Sequence, residues 1–276
     1  MLLIRVPAPA LRPFVKTLWA LDQTDSPLLV GADREHVLPT GAMHLVFRLS
    51  NHPLCLFESA YANVGQNIGH DIVGGARSTY YVRDVSESVR SVGVQFQPGG
   101  ADLLLGVPAD ELAGRHTPLG DLWGRFASEA RERLLEAGGP DQRLDLLESI
   151  LTMRLPRVRG MHPAVAQALE RFTMTTNVRE VVTEYGYSHR RFIELFRRAV
   201  GLTPKLYCRV LRFQAVLDRI AADPGLSLVE LALAAGYSDQ SHFNREFREF
   251  AGLAPVEYRT ATPSFGNHVP ISRRLR

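Results

Sequence analysis

Cysteine is nearly missing from this chain. Cys55 and Cys208 are the only two in 276 residues, too far apart in sequence to build a disulfide framework. Lysine is almost absent too: all but Lys16 and Lys205 of the 32 cationic side chains are arginine. That bias suits phosphate and guanine recognition, and genomic composition produces it equally well. No stretch approaches the ~18 uninterrupted apolar residues of a membrane helix. The opening Met-Leu-Leu-Ile-Arg-Val-Pro-Ala-Pro has no charged segment followed by a long apolar core, so it does not read as a signal peptide. A reducing cytoplasm is the expected compartment. A large charge surplus is also lacking, with a formal net of only +3. What remains, 45% apolar and 22% charged, is the composition of an ordinary globular protein, long enough for two domains at ~150 residues each.

The two halves read differently. Between residues 28 and 98, Met43, Leu45, Phe47 and Leu49 alternate with His44, Val46, Arg48 and Ser50, and Val92, Val94 and Phe96 alternate with Gly93, Gln95 and Gln97. Period two, broken by Gly74-Gly75 and Pro98-Gly99-Gly100, predicts half-buried strands. A barrel or open sandwich follows. In this pattern His44 points to solvent. From 101 to 155 the spacing becomes helical, with Leu122, Phe126, Ala130 and Leu134, then Leu144, Leu147, Leu151 and Leu155. Such a stripe serves the domain core or a partner helix from a second subunit. Pro156 to Pro163 marks a boundary. The expected layout is a β-rich domain with trailing helices over 1–157, a linker over 158–163, an all-helical domain over 164–262, and a loose basic tail over 263–276.

The strongest signal is an internal repeat. Asn177-Val-Arg-Glu-Val-Val-Thr-Glu-Tyr-Gly-Tyr-Ser188 parallels Ser227-Leu-Val-Glu-Leu-Ala-Leu-Ala-Ala-Gly-Tyr-Ser238 at an offset of 50. One extra residue in the second copy raises the offset to 51. Phe192, Phe196, Gly201, Leu202, Pro204 and Tyr207 then match Phe243, Phe247, Gly252, Leu253, Pro255 and Tyr258. Each copy reads as helix, tight turn, helix. Asn177 with Glu180 and Ser227 with Glu230 form capping boxes. Gly186 and Gly236 supply a left-handed turn, and Ser188 and Ser238 are placed to cap the second helices. This is the helix-turn-helix signature, over about 177–200 and 227–251.

In each second helix the phenylalanines face inward and polar groups face out. Arg190, Glu194 and Arg197, flanked by Arg191, Arg198 and Ile193, oppose Phe192 and Phe196. Ser241, Arg245 and Arg248, with Asn244 and with Gln240 at the start, oppose Phe243, Phe247 and Phe250. Arginine bonds guanine bidentately, and Asn or Gln bonds adenine. A solvated face is the plain alternative, weakened by the recurrence of such groups at the same position of both copies. Between the copies, Pro204 to Ala222 predicts one helix of nineteen residues, about 28 Å at ~1.5 Å each, close to the ~34 Å of a DNA turn. Residues 161–276 carry 16 Lys and Arg against 11 Asp and Glu, so the basic surplus lies in this half, as phosphate binding requires.

Residues 162 to 260 resemble the AraC/XylS family of transcription regulators, most closely in Ala-Ala-Gly-Tyr-Ser-Asp-Gln-Ser-His-Phe-Asn-Arg-Glu-Phe-Arg-Glu-Phe-Ala-Gly-Leu-Ala-Pro-Val-Glu-Tyr-Arg, residues 234–259. The resemblance implies a seven-helix domain whose two second helices enter the major groove of double-stranded DNA. It implies RNA polymerase as a partner, with an activator as the expectation and repression left open by the residues. Expected contacts are His189, Arg190, Arg191, Ile193, Glu194, Arg197 and Arg198 from the first helix and Gln240, Ser241, His242, Asn244, Arg245 and Arg248 from the second. Glu194 departs from the arginine many members carry there. It either accepts from a cytosine amine or braces Arg190 or Arg198 at i±4. The first half is more loosely similar to the β-rich sensor-like domains that precede this module, through Phe96-Gln-Pro-Gly-Gly-Ala-Asp-Leu-Leu-Leu-Gly-Val-Pro108 and Pro118-Leu-Gly-Asp-Leu-Trp-Gly124.

Enzyme chemistry finds little support. His36, His44, His52, His70 and His116 show neither H-x-H nor H-E-x-x-H spacing. Cys55 reads as a small buried hydrophobe. Two cysteines cannot form the zinc cluster of a DNA-repair methyltransferase, and no G-x-G-x-x-G is present. The expectation is therefore a non-enzymatic, cofactor-free, multidomain α+β DNA-binding regulator without membrane association. A small molecule in the first domain controls it, and it forms a homodimer. The alternative is a ligand-independent regulator whose first domain only dimerises or binds a protein. A metal-dependent enzyme ranks last.

Overall fold

The computed structural model describes residues 1–22, 32–155, 160–175, 177–184, 186–261, 263 and 265–271, apart from the side chain at 184. In chain order the first half contains β1 (Leu2–Arg5), β2 (Val15–Asp22), β3 (Arg34–Val37), β4 (His44–Arg48), β5 (Leu54–Phe57), β6 (Gly65–Gly69), β7 (Asp71–Gly74), β8 (Tyr81–Asp84) and β9 (Arg90–Phe96). Next come α1 (Ala101–Leu105), α2 (Ala109–Leu112), β10 (His116–Pro118), α3 (Gly120–Trp123), α4 (Arg125–Glu136) and α5 (Pro140–Arg154). The second half holds α6 (Pro163–Arg171), α7 (Val178–Glu184), α8 (His189–Val200), α9 (Pro204–Ala222), α10 (Leu228–Ala234), α11 (Gln240–Ala251), α12 (Pro255–Ala261) and β11 (His268–Ile271). Among the described residues no helix is long and apolar enough to cross a membrane.

The strands form two antiparallel sheets, ordered β1-β2-β9-β4-β7-β10 and β11-β3-β8-β5-β6. The alternation predicted over 43–49 and 92–96 sets the register: Leu45 opposes Val94 and Phe47 opposes Val92. Leu18, Leu45, Phe47, Val73, Val92, Val94 and Phe96 are fully buried on the face that receives α4 and α5. The Leu144, Leu147 and Leu151 stripe, with Ile150, is buried there as well. The helical stripe is thus domain core. Strands β1 and β2 lie outside the predicted β region, because prolines at 7, 9 and 13 lie between them and break the alternation.

Two expectations are corrected. His44 does not point to solvent. The large sheet is covered on both faces, and the face opposite Leu45 and Phe47 looks onto a cavity shared with the smaller sheet. Nor are residues 265–271 a loose tail. They return from α12 to the β-rich half, where β11 pairs antiparallel with β3, His268 opposite Val37 and Ile271 opposite Arg34. Val269 is buried, Leu38 N–H donates to Asn267 O at 2.8 Å, and Tyr258 Oη donates to Gly266 O at 2.8 Å. The tail beyond 271 and residues 158–159 of the expected linker lie outside the described residues, as do 156–157 before it. Helix α6 starts at Pro163, capped by His162.

The halves share packing. The α8 helix lies against α1 and α2, and α11 ends on the β-rich half. There Tyr80 N–H donates to Phe250 O at 3.0 Å, His36 Nδ1 meets Ala251 O at 2.9 Å, and the His36 and Tyr80 rings stack at 4.3 Å.

Candidate nucleic-acid interface and inner cavity

The first helical pair follows its sequence except that the expected capping box of α7 is half formed, Asn177 N–H donating to Thr175 Oγ1 at 3.1 Å and not to Glu180. Glu180 N–H donates to Asn177 Oδ1 at 3.3 Å, starting α7. Gly186 turns the chain at φ 67°, in the left-handed region that a side chain disfavours. Ser188 Oγ then accepts from Arg191 N–H at 3.3 Å, satisfying an orphan donor of α8. Phe192, Phe196 and Val200 are buried, with Phe196 edge-on to Phe172 and Tyr207. The opposite face leaves His189, Arg190, Arg191, Glu194, Arg197 and Arg198 exposed and Ile193 half-buried.

That face is internally engaged. Glu194 lies 3.5 Å from both Arg190 and Arg191, so the brace runs to Arg190 and Arg191 instead of Arg198. Arg197 reaches across to Asp110 of α2 at 3.3 Å. The first helix therefore presents a cationic face already shared with a carboxylate, and its Arg197 belongs to the contact between halves.

The second pair differs. Ser227 and Glu230 form a reciprocal capping box at 3.2 and 2.8 Å, and Gly236 turns at φ 74°. The cap of α11 is Asp239, whose Oδ1 accepts from His242 N–H at 2.7 Å, in place of the expected Ser238. The inserted residue sits in the turn, so the offset of 51 already applies at the cap and Asp239 matches Ser188. Phe243, Phe247 and Phe250 are buried. Gln240, Ser241, Arg245 and Arg248 are exposed, and His242 and Asn244 are half-buried. Asn244 turns its Oδ1 inward, buried and without a hydrogen-bond partner. Arg245 and Arg248 have no carboxylate within 4 Å among the described residues. Their charge is available to a ligand.

A polar node missed by the sequence reading fixes α11. Glu246, 4% exposed, accepts from Arg209 Nε at 2.9 Å, Arg212 Nη2 at 2.8 Å and Tyr237 Oη at 2.8 Å. Burial alone would raise its pKa; the hydrogen bonds from Arg209, Tyr237 and Arg212 overcome that and lower it. The signal was a lone Glu three residues after Phe243, on the buried stripe, facing arginines three apart on α9.

Between the sheets lies a cavity of about 610 Å³. Thr17, Gln95, His44, Gly74 and His116 occupy one transverse row of the larger sheet. The next row is apolar, with Ile4, Trp19, Val46 and Ile72. The smaller sheet contributes Glu35, Val37, Tyr81 and Arg83, and the returning C-terminal segment adds Phe265 to His268. Glu35 is ion-paired with Arg83 and lies 2.9 Å from His268 Nδ1. Burial holds the His44 ring down at about 4, helped by His268, Arg77 and Lys16. It holds His116 down at about 3, helped by Arg77, Arg83 and His44. Both are neutral at physiological pH. No cluster of three or more metal-ligating side chains occurs among the described residues: His36 serves the contact with α11, while His44 and His116 face the cavity. Cys55 is half-buried and not fully enclosed.

Residues 181–261 match a family described as "Helix-turn-helix domain". They contain both glycine turns and both outward-facing second helices. The segment is an AraC-type helix-turn-helix domain. This AraC-type domain is similar to that of the melibiose operon regulatory protein of Escherichia coli (strain K12), 26% identical over 90 residues, which are 33% of this chain and 30% of that protein. It is similar to the HTH-type transcriptional regulator YkgA of the same organism, 32% identical over 85 residues, 30% of this chain and 34% of the other. It is also similar to the invasion protein InvF of Salmonella typhimurium, 32% identical over 92 residues, 33% and 42% of the two chains. The chain thus spans about a third of the length of the curated relatives it matches. Residues 4–118 match a family described as "Domain of unknown function (DUF6597)". Over 94% of this chain and 98% of the other, the structure aligns with ToxT from Vibrio cholerae at a TM-score of 0.43 and 10% identity. Within the AraC-type domain, α9 spans Pro204–Ala222, as the repeat spacing predicts, and joins the two helix-turn-helix units.

Proposed function

We propose that this chain is a sequence-specific DNA-binding transcription regulator controlled by a small molecule held in its β-rich half. The observation that carries the DNA reading is the second helix-turn-helix unit. Arg245 and Arg248 stand exposed and unpaired on a helix whose other face is locked by three phenylalanines and the Glu246 node. A helix held so firmly, with charged donors free on its outer face, suits insertion into a major groove. Helix α8 contributes Arg190 and Arg191 with Glu194, chiefly to phosphates and register. The cavity supports the effector part of the reading: it lies between sheets at a volume typical of small-ligand sites, and the segment leading out of the AraC-type domain lines it. The proposal extends to RNA polymerase as a partner, to a homodimer, to a non-enzymatic role and to a cytoplasmic location.

A duplex selected from a random library by the full chain supplies the test. Arg245→Ala is expected to cost about 1–3 kcal/mol on that duplex and to relax preference at one base pair. Arg190→Ala is expected to weaken binding to all duplexes alike. Affinity should fall steeply and linearly on a log–log plot against salt. Unchanged binding by the double variant, or a flat salt plot, would overturn the reading.

A further inference from the structure

The cavity has a polar end and an apolar end, and its charges do not balance. Its charged lining residues are Glu35, Arg83 and Arg77. Glu35 is taken by Arg83 and His268. Arg77 has no carboxylate partner among the described residues. Its guanidinium lies over the Tyr81 ring at 4.4 Å, and its Nη2 is 3.2 Å from His116 Nδ1. A guanidinium can only donate, so His116 Nδ1 accepts and the ring proton sits on Nε2. The ring lies over Gly74, its Nε2 3.8 Å from where a Cβ would stand. The same transverse row brings His44 and Gln95 alongside. One uncompensated cation and several neutral polar groups thus converge at one end of the space. At the other end Trp19, Val46 and Ile72 present apolar surface. The Trp19 ring lies over Gly93, filling the place a side chain there would take.

We propose that this cavity binds a small monoanionic carboxylic acid with an aromatic or aliphatic body, its carboxylate held by Arg77 and His116 and its body laid over Trp19, Val46 and Ile72. Arg77 is half-buried; a cation partly withdrawn from water without a carboxylate partner is costly, and a carboxylate relieves that cost with charge-assisted hydrogen bonds. A single surplus cation matches a monoanion better than a dianionic phosphate. The neutral polar groups orient the head group without adding charge. This inference rests on the reading of the β-rich half as an effector domain and names the class of effector.

The test uses the full chain with 3-phenylpropanoate and octanoate, each against its primary amide, followed by calorimetric titration and thermal unfolding. At least one acid is expected to bind and raise the unfolding temperature, with its amide at least about tenfold weaker. That comparison needs no variant. Arg77→Gln, checked for folding by circular dichroism, is expected to weaken the acid at least about tenfold, and Arg77→Lys to retain part of the affinity. Equal binding of acid and amide, no binding of either acid, or undiminished binding by folded Arg77→Gln would overturn the proposal. Tighter binding of phenyl phosphate than of either acid would also overturn it. DNA affinity measured in parallel separates the two readings. Acid binding that leaves DNA affinity unchanged upholds the carboxylate site and overturns effector control. DNA binding without any acid response overturns the carboxylate site alone.

Discussion

At Glu246 three donors converge on one buried carboxylate, and a single charge thereby orients α11. Glu246→Ala removes the acceptor of Arg209, Arg212 and Tyr237 together. Breaking a buried pair costs about 3–5 kcal/mol; because the two arginines are partly exposed, about 2–3 kcal/mol is expected, read as a shift in urea midpoint. Glu35 gives a pH-dependent counterpart. Burial by itself would push its carboxyl up; the Arg83 charge and the His268 hydrogen bond outweigh it and hold it at about 2, against an ordinary 4.5. A carboxyl depressed on folding stabilises above its unfolded pKa, and that contribution is lost as pH falls through the folded value. About 3 kcal/mol is therefore expected to disappear between pH 4.5 and about 2. Urea midpoints of the wild type should fall through that window, and those of Glu35→Gln should fall less. Glu35 has no signal in the sequence, and Glu246 only that of a lone Glu on an apolar stripe. A buried carboxylate is defined by what faces it, and its partners here come from other elements or from β11, more than 200 residues away.

At the scale of elements the sequence was far more informative, because helix starts, turns and stripes depend on near neighbours. The capping box of α10, the left-handed glycines and the span of α9 all lie where local chemistry puts them. The cap of α11 shows the limit of that reading. Parallel motifs suggested Ser238, and the inserted residue moved the role to Asp239. Asp239→Ala is expected to cost about 1 kcal/mol, as N-cap removal does, and Ser238→Ala only a few tenths, both measured by thermal unfolding. Strands β1 and β2 have little local signal because prolines 7, 9 and 13 lie between them and break the alternation. The status of α8 was also invisible: Arg197 belongs on an outward face by periodicity, yet α2 supplies Asp110 to meet it.

At the scale of the whole molecule the two halves are joined by more than their linker. The chain leaves the β-rich half, builds the AraC-type domain and comes back as a strand on β3. Gln214 of α9 donates to Pro39 O and Asn267 Oδ1, both at 2.8 Å, tying the long helix to that return. Ending the chain after Pro263 would remove β11 and the buried Val269. A loss of at least about 2 kcal/mol is expected from that burial alone, with the β-rich half the region exposed to hydrogen exchange. Undisturbed exchange there would show that β11 is dispensable. Because the returning segment also lines the cavity, an effector would touch chain that is covalently continuous with α12.

Two domains, a repeated helix-turn-helix and the identity of its outward-facing residues were determined by the sequence itself. Each depends on periodicity, capping and turn preference, which act over a few residues. Only the tertiary structure decided that His44 faces a cavity, that Glu246 and Glu35 are buried anchors, and that the C-terminal segment completes a sheet of the other half. Those features arise where distant segments meet, and the energies that settle them, burial of charge and pairing across sheets, have no local trace in the chain.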